Sequence, residues 1–500
     1  MKRHQKTSQT CAGTRQHTAL RITHRTVAVI AGLSLITGGI AGTATVALTT
    51  TAQAQEQNAA QGAPNGAPGG GADTMSFDYT GSYAGAIAAD GENVKSTDES
   101  HTATQSDQNA ALVENGGTLT LKGALLQKSG DDTDGDRCNF YGVNSILTAV
   151  GEGSTANVSD SSLAATSAGS NGIFATDGAK VTVSDTSIDT TADNSRGLDA
   201  TYGGVIVADG VDITTAGDHC AGMATDRGGG TITATDSTVS TQGSGSPVLY
   251  STGDIEVDGL TGTASGSQIA GMEGLNTISI ENSTLKSSIT GKTASDPIAN
   301  GIIIYQSTSG DAEATTGETA TFTAKDSTLS SAIESGSMFY LTNTSAKITL
   351  KNTKLDFDSS KAALITAEDN DSNNWGQAGS NGADVSVKAV KQKLTGNIIV
   401  DTISSVKLNL TKKSTWTGTA QIEDNTSGAT TSDSPVSVSI DGTSSWIVTG
   451  DCTVSNLTVK DGGTVKDSDG QTVTVKANGK TVVKGTSSIT VTVTGSYTAN

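Results

Sequence analysis

The chain has 500 residues, 51 Asp and Glu against 31 Lys and Arg, and a formal charge of −20. A surface this acidic repels nucleic acid and anionic lipid, so neither is expected as a partner. Only 3% of residues are aromatic and 34% hydrophobic, and no stretch beyond the leader is apolar enough to span a membrane.

Residues 1–54 read as a signal peptide. Lys2, Arg3, Lys6, Arg15, Arg21 and Arg25 form a basic leader without an acidic residue. An apolar heart follows at 27–36, and Ala52, Gln53 and Ala54 fit a small-x-small cleavage site. The competing reading is an uncleaved anchor, since the uncharged span is long enough for a bilayer. No Arg-Arg pair is present, which points to the general secretion route. Cleavage would remove Cys11 and leave a mature charge of about −26. Residues 55–75 are rich in Gly, Ala, Pro and Gln, a composition that buries no core and reads as a disordered linker. Residues 76–115 have weak patterning and read as an N-terminal cap or an irregular first coil.

From Leu119 an eight-residue pattern recurs: apolar, x, apolar, x, Asp or Asn, Ser or Thr, x, apolar. One copy places Ala156, Val158, Asp160 and Leu163, and the next Val181, Val183, Asp185 and Ile188. Others bend at Asp236, Asn282, Asp326 and Asn352. Variant copies start at Leu119, Val205, Ile255 and Val385. The first has Gly123 at its bend, the second carries one extra residue, the third is shortened and the fourth keeps only its first half. Asp and Asn tolerate a left-handed backbone and bond their own main chain, which explains the bend. Gly-led apolar segments, such as those at Ile173, Leu198, Met223 and Ile302, supply a further strand per step. Three short strands in each basic step of 23 to 27 residues describe one coil of a right-handed parallel β-helix, an all-β solenoid.

The helix is expected over 116–390, with further β-helix coils and a cap over 391–500. About 15 coils would stack to roughly 70 Å at strand spacing. Residues 127–138, 290–299, 306–319 and 367–383 carry no inward pattern and are expected as projecting loops. If Ile173, Leu198 and Ile302 face inward, Phe174, Asp199 and Ile303 face outward, on a groove or under covering loops.

The repeats at 204–217 and 230–243 resemble autotransporter passenger domains of the pertactin type, as do the later Trp units around Trp446. The resemblance covers about residues 116–465 and implies the pectin-lyase-like fold. It says little of function, because such passengers include adhesins, proteases and bystanders. No barrel-like stretch follows residue 465 and no Leu-Pro-x-Thr-Gly signal is present, so any cell attachment is expected to be non-covalent or through another chain.

Chemistry is sparse. After the leader only His101 and His219 remain, and both read as surface residues. Enzymes of the pectin-lyase-like fold need clustered carboxylates beside a positioned Arg or Lys. Asp199, with Arg196 and Arg227 on neighbouring coils, is the one hint of that chemistry, and a weak one. Asp131, Asp132, Asp134 and Asp136 form the densest acidic loop. Their spacing suits a weak Ca²⁺ site, although the closing Glu of an EF-hand is missing. No other cofactor is implied. Cys138, Cys220 and Cys452 are too few and too scattered for a disulfide framework and read as free thiols.

The expectation is therefore a secreted bacterial protein, cell-surface associated, acting without catalysis as an adhesin-like or structural display rod. Its partner would be a host or bacterial surface glycan or protein. The alternative is a polysaccharide-active lyase or hydrolase on the same scaffold.

Overall fold

The computed structural model describes residues 75–307, 312, 319–370, 375–427 and 431–500. The segments expected as signal peptide (1–54) and linker (55–75) lie outside the described residues except residue 75, as do parts of the loops expected at 306–319 and 367–383. The chain divides into two units, Met1–Gln57 and Asn58–Asn500, and everything below concerns the second.

That unit is a parallel β-helix with three strands per coil. Sheet A has 13 strands, from Gly85–Asp90 to Ala420–Glu423. Sheet B has 15, from Asn93–Thr97 to Tyr497–Ala499, and sheet C has 10, from Ser100–Ala103 to Lys354–Asp356. Up to Thr464–Lys466, consecutive strands of the chain fall in different sheets, so hydrogen-bonded neighbours come from adjacent coils. Sheet C gives way to a four-stranded sheet containing Thr415–Gly418 and Ser445–Val448. There the indoles of Trp416 and Trp446 stack at 4.7 Å. Each indole N–H donates to a backbone carbonyl, Gly396 and Gly418 respectively, at 2.9 Å. At the far end Thr474–Ala477 and Lys480–Val483 form an antiparallel pair, with Thr490–Val493 alongside the first.

Side chains of period two stack through the interior. In sheet B, Val181, Ile206, Ile232, Ile255 and Ile278 lie in one register line. In sheet C, Leu126, Leu163, Ile188, Ile213 and Val239 do the same. All ten are buried and belong to one continuous core.

The register resolves three variant repeats. Val181 pairs with Ile206 and Asp185 aligns with Gly210, so this copy begins at Ile206, not Val205, and has no extra residue. The copy at Ile255 is full length: Gly262 pairs with Val239 in the final apolar slot. A Cβ on Gly262 would lie 2.6 Å from Val248 and 2.7 Å from Leu285. The last copy begins at Val387, opposite Ile348, and bends at Lys391 before Leu394. The first misreading arose where Val205, Ile206 and Val207 make both faces look apolar.

The first coil, Gly85–Asp90, Asn93–Thr97 and Ser100–Ala103, is regularly paired to the second. Its inward slots are partly polar. Ser96 pairs with Leu121 and His101 with Leu126, and their side chains bond each other at 2.8 Å. A polar terminal repeat ends the hydrocarbon stack without exposing it.

The bends behave as their chemistry requires. Asp160, Asp185, Asp236, Asn282, Asp326 and Asn352 have φ between 44° and 52°. The hydroxyl after each bend donates to the carbonyl two residues back, as Ser161, Ser237 and Ser283 do. It also accepts an amide of the preceding coil: Ala124 to Ser161, Val211 to Ser237, and Leu260 to Ser283. These ladders satisfy buried corner amides that no strand pairs.

Gly123, Gly210 and Gly259 occupy the same corner with φ of 62° to 74°. Asp236→Gly is therefore expected to leave stability within about 1 kcal/mol of the parent. Asp236→Val is expected to cost about 1–2 kcal/mol, because a β-branched residue resists the left-handed region. Thermal denaturation of the two variants checks the difference.

Candidate functional site

The outer face of sheet A is where the sequence leaves either a groove or a face under covering loops. In the structure Phe174, Asp199 and Ile303 do sit on this face, and all three are buried. The strands Ile173–Thr176, Leu198–Ala200, Ala270–Glu273 and Ser337–Thr342 are buried on both sides.

Near the N-terminal end the cover is a helix, Gly135–Tyr141, inside the loop expected at 127–138 and just beyond it. Asp134 caps it by accepting the amides of Asp136 and Arg137, and Gly142 ends it at φ 72°. A Cβ on Gly142 would lie 2.4 Å from the Phe174 ring, so glycine lets the chain press onto the sheet. Polar side chains of the sheet hold its carbonyls. Thr148 Oγ1 donates to Gly142 O at 2.6 Å, Thr201 Oγ1 to Phe140 O at 2.9 Å, and Asn171 Nδ2 to Cys138 O at 3.0 Å. The segment from Phe77 to Tyr83 packs on the same cover through Tyr141 and Tyr202.

Beneath the helix lies the charged cluster. Arg196 contacts Asp199 at 3.4 Å and Asp226 at 3.0 Å, and donates to Asn139 Oδ1 of the helix at 2.7 Å. Neither carboxylate oxygen of Asp199 has a hydrogen-bond partner. Burial pushes the Asp199 carboxyl well above the usual range, and the Arg196 charge opposes that rise. Arg227 is elsewhere in the same layer, its guanidinium 3.7 Å over the Phe140 ring. Arg196 and Asp199 are thus neighbours, while Arg227 turns to Phe140 of the helix. In this conformation they form a latch between coils and cover, not an open site. Asp226, on the coil after Asp199, was missed; its place beside Arg196 follows only from the register.

The acidic loop is occupied by its own structure. Asp131 Oδ1 accepts the Ala168 amide at 3.0 Å. Asp134 is the helix cap, and Asp136 is exposed in the first turn. Burial raises the Asp132 carboxyl, and the Cys138 thiol donates to Gly135 O at 3.1 Å. Among the described residues no group of three or more His, Cys, Asp or Glu is placed to hold a metal ion.

Cys138, Cys220 and Cys452 are free thiols. Cys220 is a rung of a corner ladder: Ser195 N donates to its sulfur at 3.0 Å, and Cys220 N donates to Ser246 Oγ at 2.9 Å. Burial pushes its thiol up to about 12, which marks it as structural and unreactive. His219 is an exposed corner residue. His101 is half-buried in the first coil, contrary to its reading as a surface residue. Glu99 lies 3.8 Å from the His101 Nε2 that already meets Ser96. A catalytic triad needs the acid on the opposite ring nitrogen.

Further along sheet A the cover is a second polar and aromatic layer. Glu273 accepts from the hydroxyls of Tyr250 at 2.8 Å and Tyr305 at 3.0 Å. Tyr305 stacks on Trp375 at 4.2 Å, and Trp375 packs with Ile303 and Tyr340. Where sheet A ends, three carboxylates fall in line on successive coils. Asp401 pairs with Glu423, and Ala367 pairs with Val400, which brings Glu368 opposite Asp401. Asp401 Oδ2 accepts from Asp369 N at 3.0 Å and Asn425 Nδ2 at 2.9 Å, while its buried Oδ1 has no partner. Burial, and then the charges of Asp401, Glu423 and Asp369, push Glu368 up to about 7.

Comparison with known protein families and with curated proteins finds no match for this chain. Among the described residues no helix is long and apolar enough to cross a membrane.

A carboxyl raised on folding binds its proton more tightly in the native state. Its contribution is therefore complete below about pH 4.5 and is lost as pH rises through about 7. Unfolding free energy is expected to fall by up to ~3 kcal/mol over that window from Glu368 alone. Glu368→Gln should remove this part of the slope, as read by denaturation at pH 5 and pH 8.

Proposed function

We propose that this protein is a secreted, cell-surface-associated β-helix of the autotransporter-passenger type, and that it works as an adhesin-like or structural display rod without catalysis. The observation that carries this reading is the closure of sheet A's outer face. Enzymes of the pectin-lyase-like fold would need acid, base and cation open to a polymer there. Here Arg196, Asp199 and Asp226 are tied together beneath the helix. The strongly negative surface suits a soluble display element that avoids non-specific polyanion binding.

A second reading, a polysaccharide lyase or hydrolase, is favoured by one feature. Asp199 is a buried carboxyl, raised by desolvation, beside a guanidinium, a pairing used in general acid–base chemistry. It requires the helix to swing away.

The full chain, labelled and titrated onto bacterial and host cells, is expected to bind saturably. No turnover of acidic or neutral polysaccharides should appear with or without added calcium. Turnover that is abolished by Asp199→Ala would overturn the rod reading, and non-saturable adsorption alone would remove its adhesin component.

A further inference from the structure

The corner at the far end of sheet B changes sign along the solenoid. On earlier coils it carries Asp160, Asp185, Asp209, Asp236 and Asp258. Over three later coils it carries Lys351, then Lys388, Lys391 and Lys393, then Lys412 and Lys413. Lys351 pairs with Val390 and Val390 with Thr411, so the bend residues Asn352, Lys391 and Lys412 follow in line. Lys351 is half-buried and the other five lysines are exposed. Among the described residues none of the six is in an ion pair, whereas Lys325, Lys354 and Lys407 are held by Glu281, Asp356 and Asp384.

The lysines are held in place by the backbone and by packing. Lys391, Lys412 and Lys413 have φ of 51°, 56° and 69°. On other coils Asp236, Asn282, Asp326 and Asn352 make the same bend, and Asp or Asn enters the left-handed region with less strain than Lys does. Strain kept where the same solenoid uses a less strained residue points to a functional constraint. Val390 faces outward between Lys351 and Thr411, yet it is only 8% exposed. The side chains around it supply that cover, lysine stems lying on the sheet while their ammonium groups stay in water.

We propose that this basic corner is a docking surface for a linear anionic glycan, carboxylated or sulfated. This rests on the display-rod reading and names the class of surface glycan that the rod engages. The net charge of −20 does not forbid it, because charges beyond the Debye length of ~8 Å are largely screened at physiological salt. Polar groups alternate with the cations: Asn409 pairs with Lys388 and Thr415 with Lys393. A sugar chain offers these groups hydroxyls beside its own anions. A bilayer or a nucleic acid duplex is disfavoured. The patch is three coils deep, about 10 Å at strand spacing, and carboxylates border it. Asp326 and Asp356 lie on one side, held by Asn352 Nδ2 at 2.7 Å and by Lys354 at 3.1 Å. Asp441 lies on the other and accepts the Lys412 amide at 2.7 Å. A broad polyanion would cover these acids too, whereas a single sugar chain running across the rod can lie on the lysines and miss them.

The test measures binding of the full chain to polygalacturonate and heparin at low and high salt, with dextran, phosphatidylserine vesicles and duplex DNA as the contrasting probes. Saturable binding to polygalacturonate or heparin that weakens as salt rises is expected, and the tighter of the two tells a carboxylated from a sulfated ligand. Lys391→Asn with Lys412→Asn places at both bends the residue type that Asn282 and Asn352 already supply. This double variant should weaken binding at least about tenfold, from roughly fivefold for each lysine, without lowering the melting temperature. Lys180→Asn with Lys286→Asn removes the same charge from exposed positions on other coils and should bind as the parent does. The proposal fails if neither glycan saturates, if vesicles or DNA bind more tightly than both glycans, if dextran binds equally well, or if the two double variants weaken binding alike. Cell binding that survives Lys391→Asn with Lys412→Asn would overturn the basic corner and leave the rod reading intact. Glycan binding through the corner without any cell binding would do the reverse.

Discussion

Ile232 is packed between Ile206 on one coil and Ile255 on the next, and each of these meets a further apolar residue beyond. No coil closes its own interior, so burial of any inward side chain depends on its neighbours being in register. Local contacts would favour several registers in a chain so rich in Val, Ile and Thr. The parallel stack accepts one, because a one-residue slip would turn Ile232 outward and Thr233 inward. The C-terminal Trp416–Trp446 stack extends this rule to the largest side chains in the core.

The corners make that register affordable in hydrogen bonds. A strand of four or five residues followed by a sharp bend strands main-chain amides at every turn. Left-handed Asp, Asn or Gly makes the bend, and the hydroxyl beside it bonds one carbonyl and one amide of the adjacent coil. Cys220 fills the same role with sulfur, between Ser195 and Ser246. The insertions follow from the same economy. Extra residues can leave only at corners, and the helix at Gly135–Tyr141 folds back from one onto sheet A. That return turns an outward sheet face into a second, smaller interior holding Phe174, Arg196 and Asp199.

The parallel β-helix was legible in the sequence because its signal is repeated. The six clear copies align in the structure as written, with Asp or Asn at the bend and Leu, Ile or Val after it. Misread copies lacked one part of the signal. Gly262 stands where a leucine is usual, Lys391 stands where Asp is usual, Val205 is an outward valine that mimics an inward one, and Val385 is an inward valine one step ahead of the copy's start at Val387. The cover was less legible. Asp134 and Gly142 are a fair helix start and stop, but seven residues without an amphipathic run give no periodic signal. The proximity of Arg196 and Asp199 could be read from their spacing. The burial of Asp199 could not, because it depends on where a loop folds.

The register of the stack is the claim on which the latch and the acid line both rest. It can be tested directly with paired outward cysteines on sheet B. Thr233 and Glu256 are paired residues, whereas Asp258 lies two positions further along the same strand. In a background lacking Cys138, Cys220 and Cys452, Thr233→Cys with Glu256→Cys should form an intramolecular disulfide readily under mild oxidant, since paired Cα atoms lie within bridging range. Thr233→Cys with Asp258→Cys should not. Preferential bridging by the offset pair, or none by either, would contradict the stacked parallel coils described above.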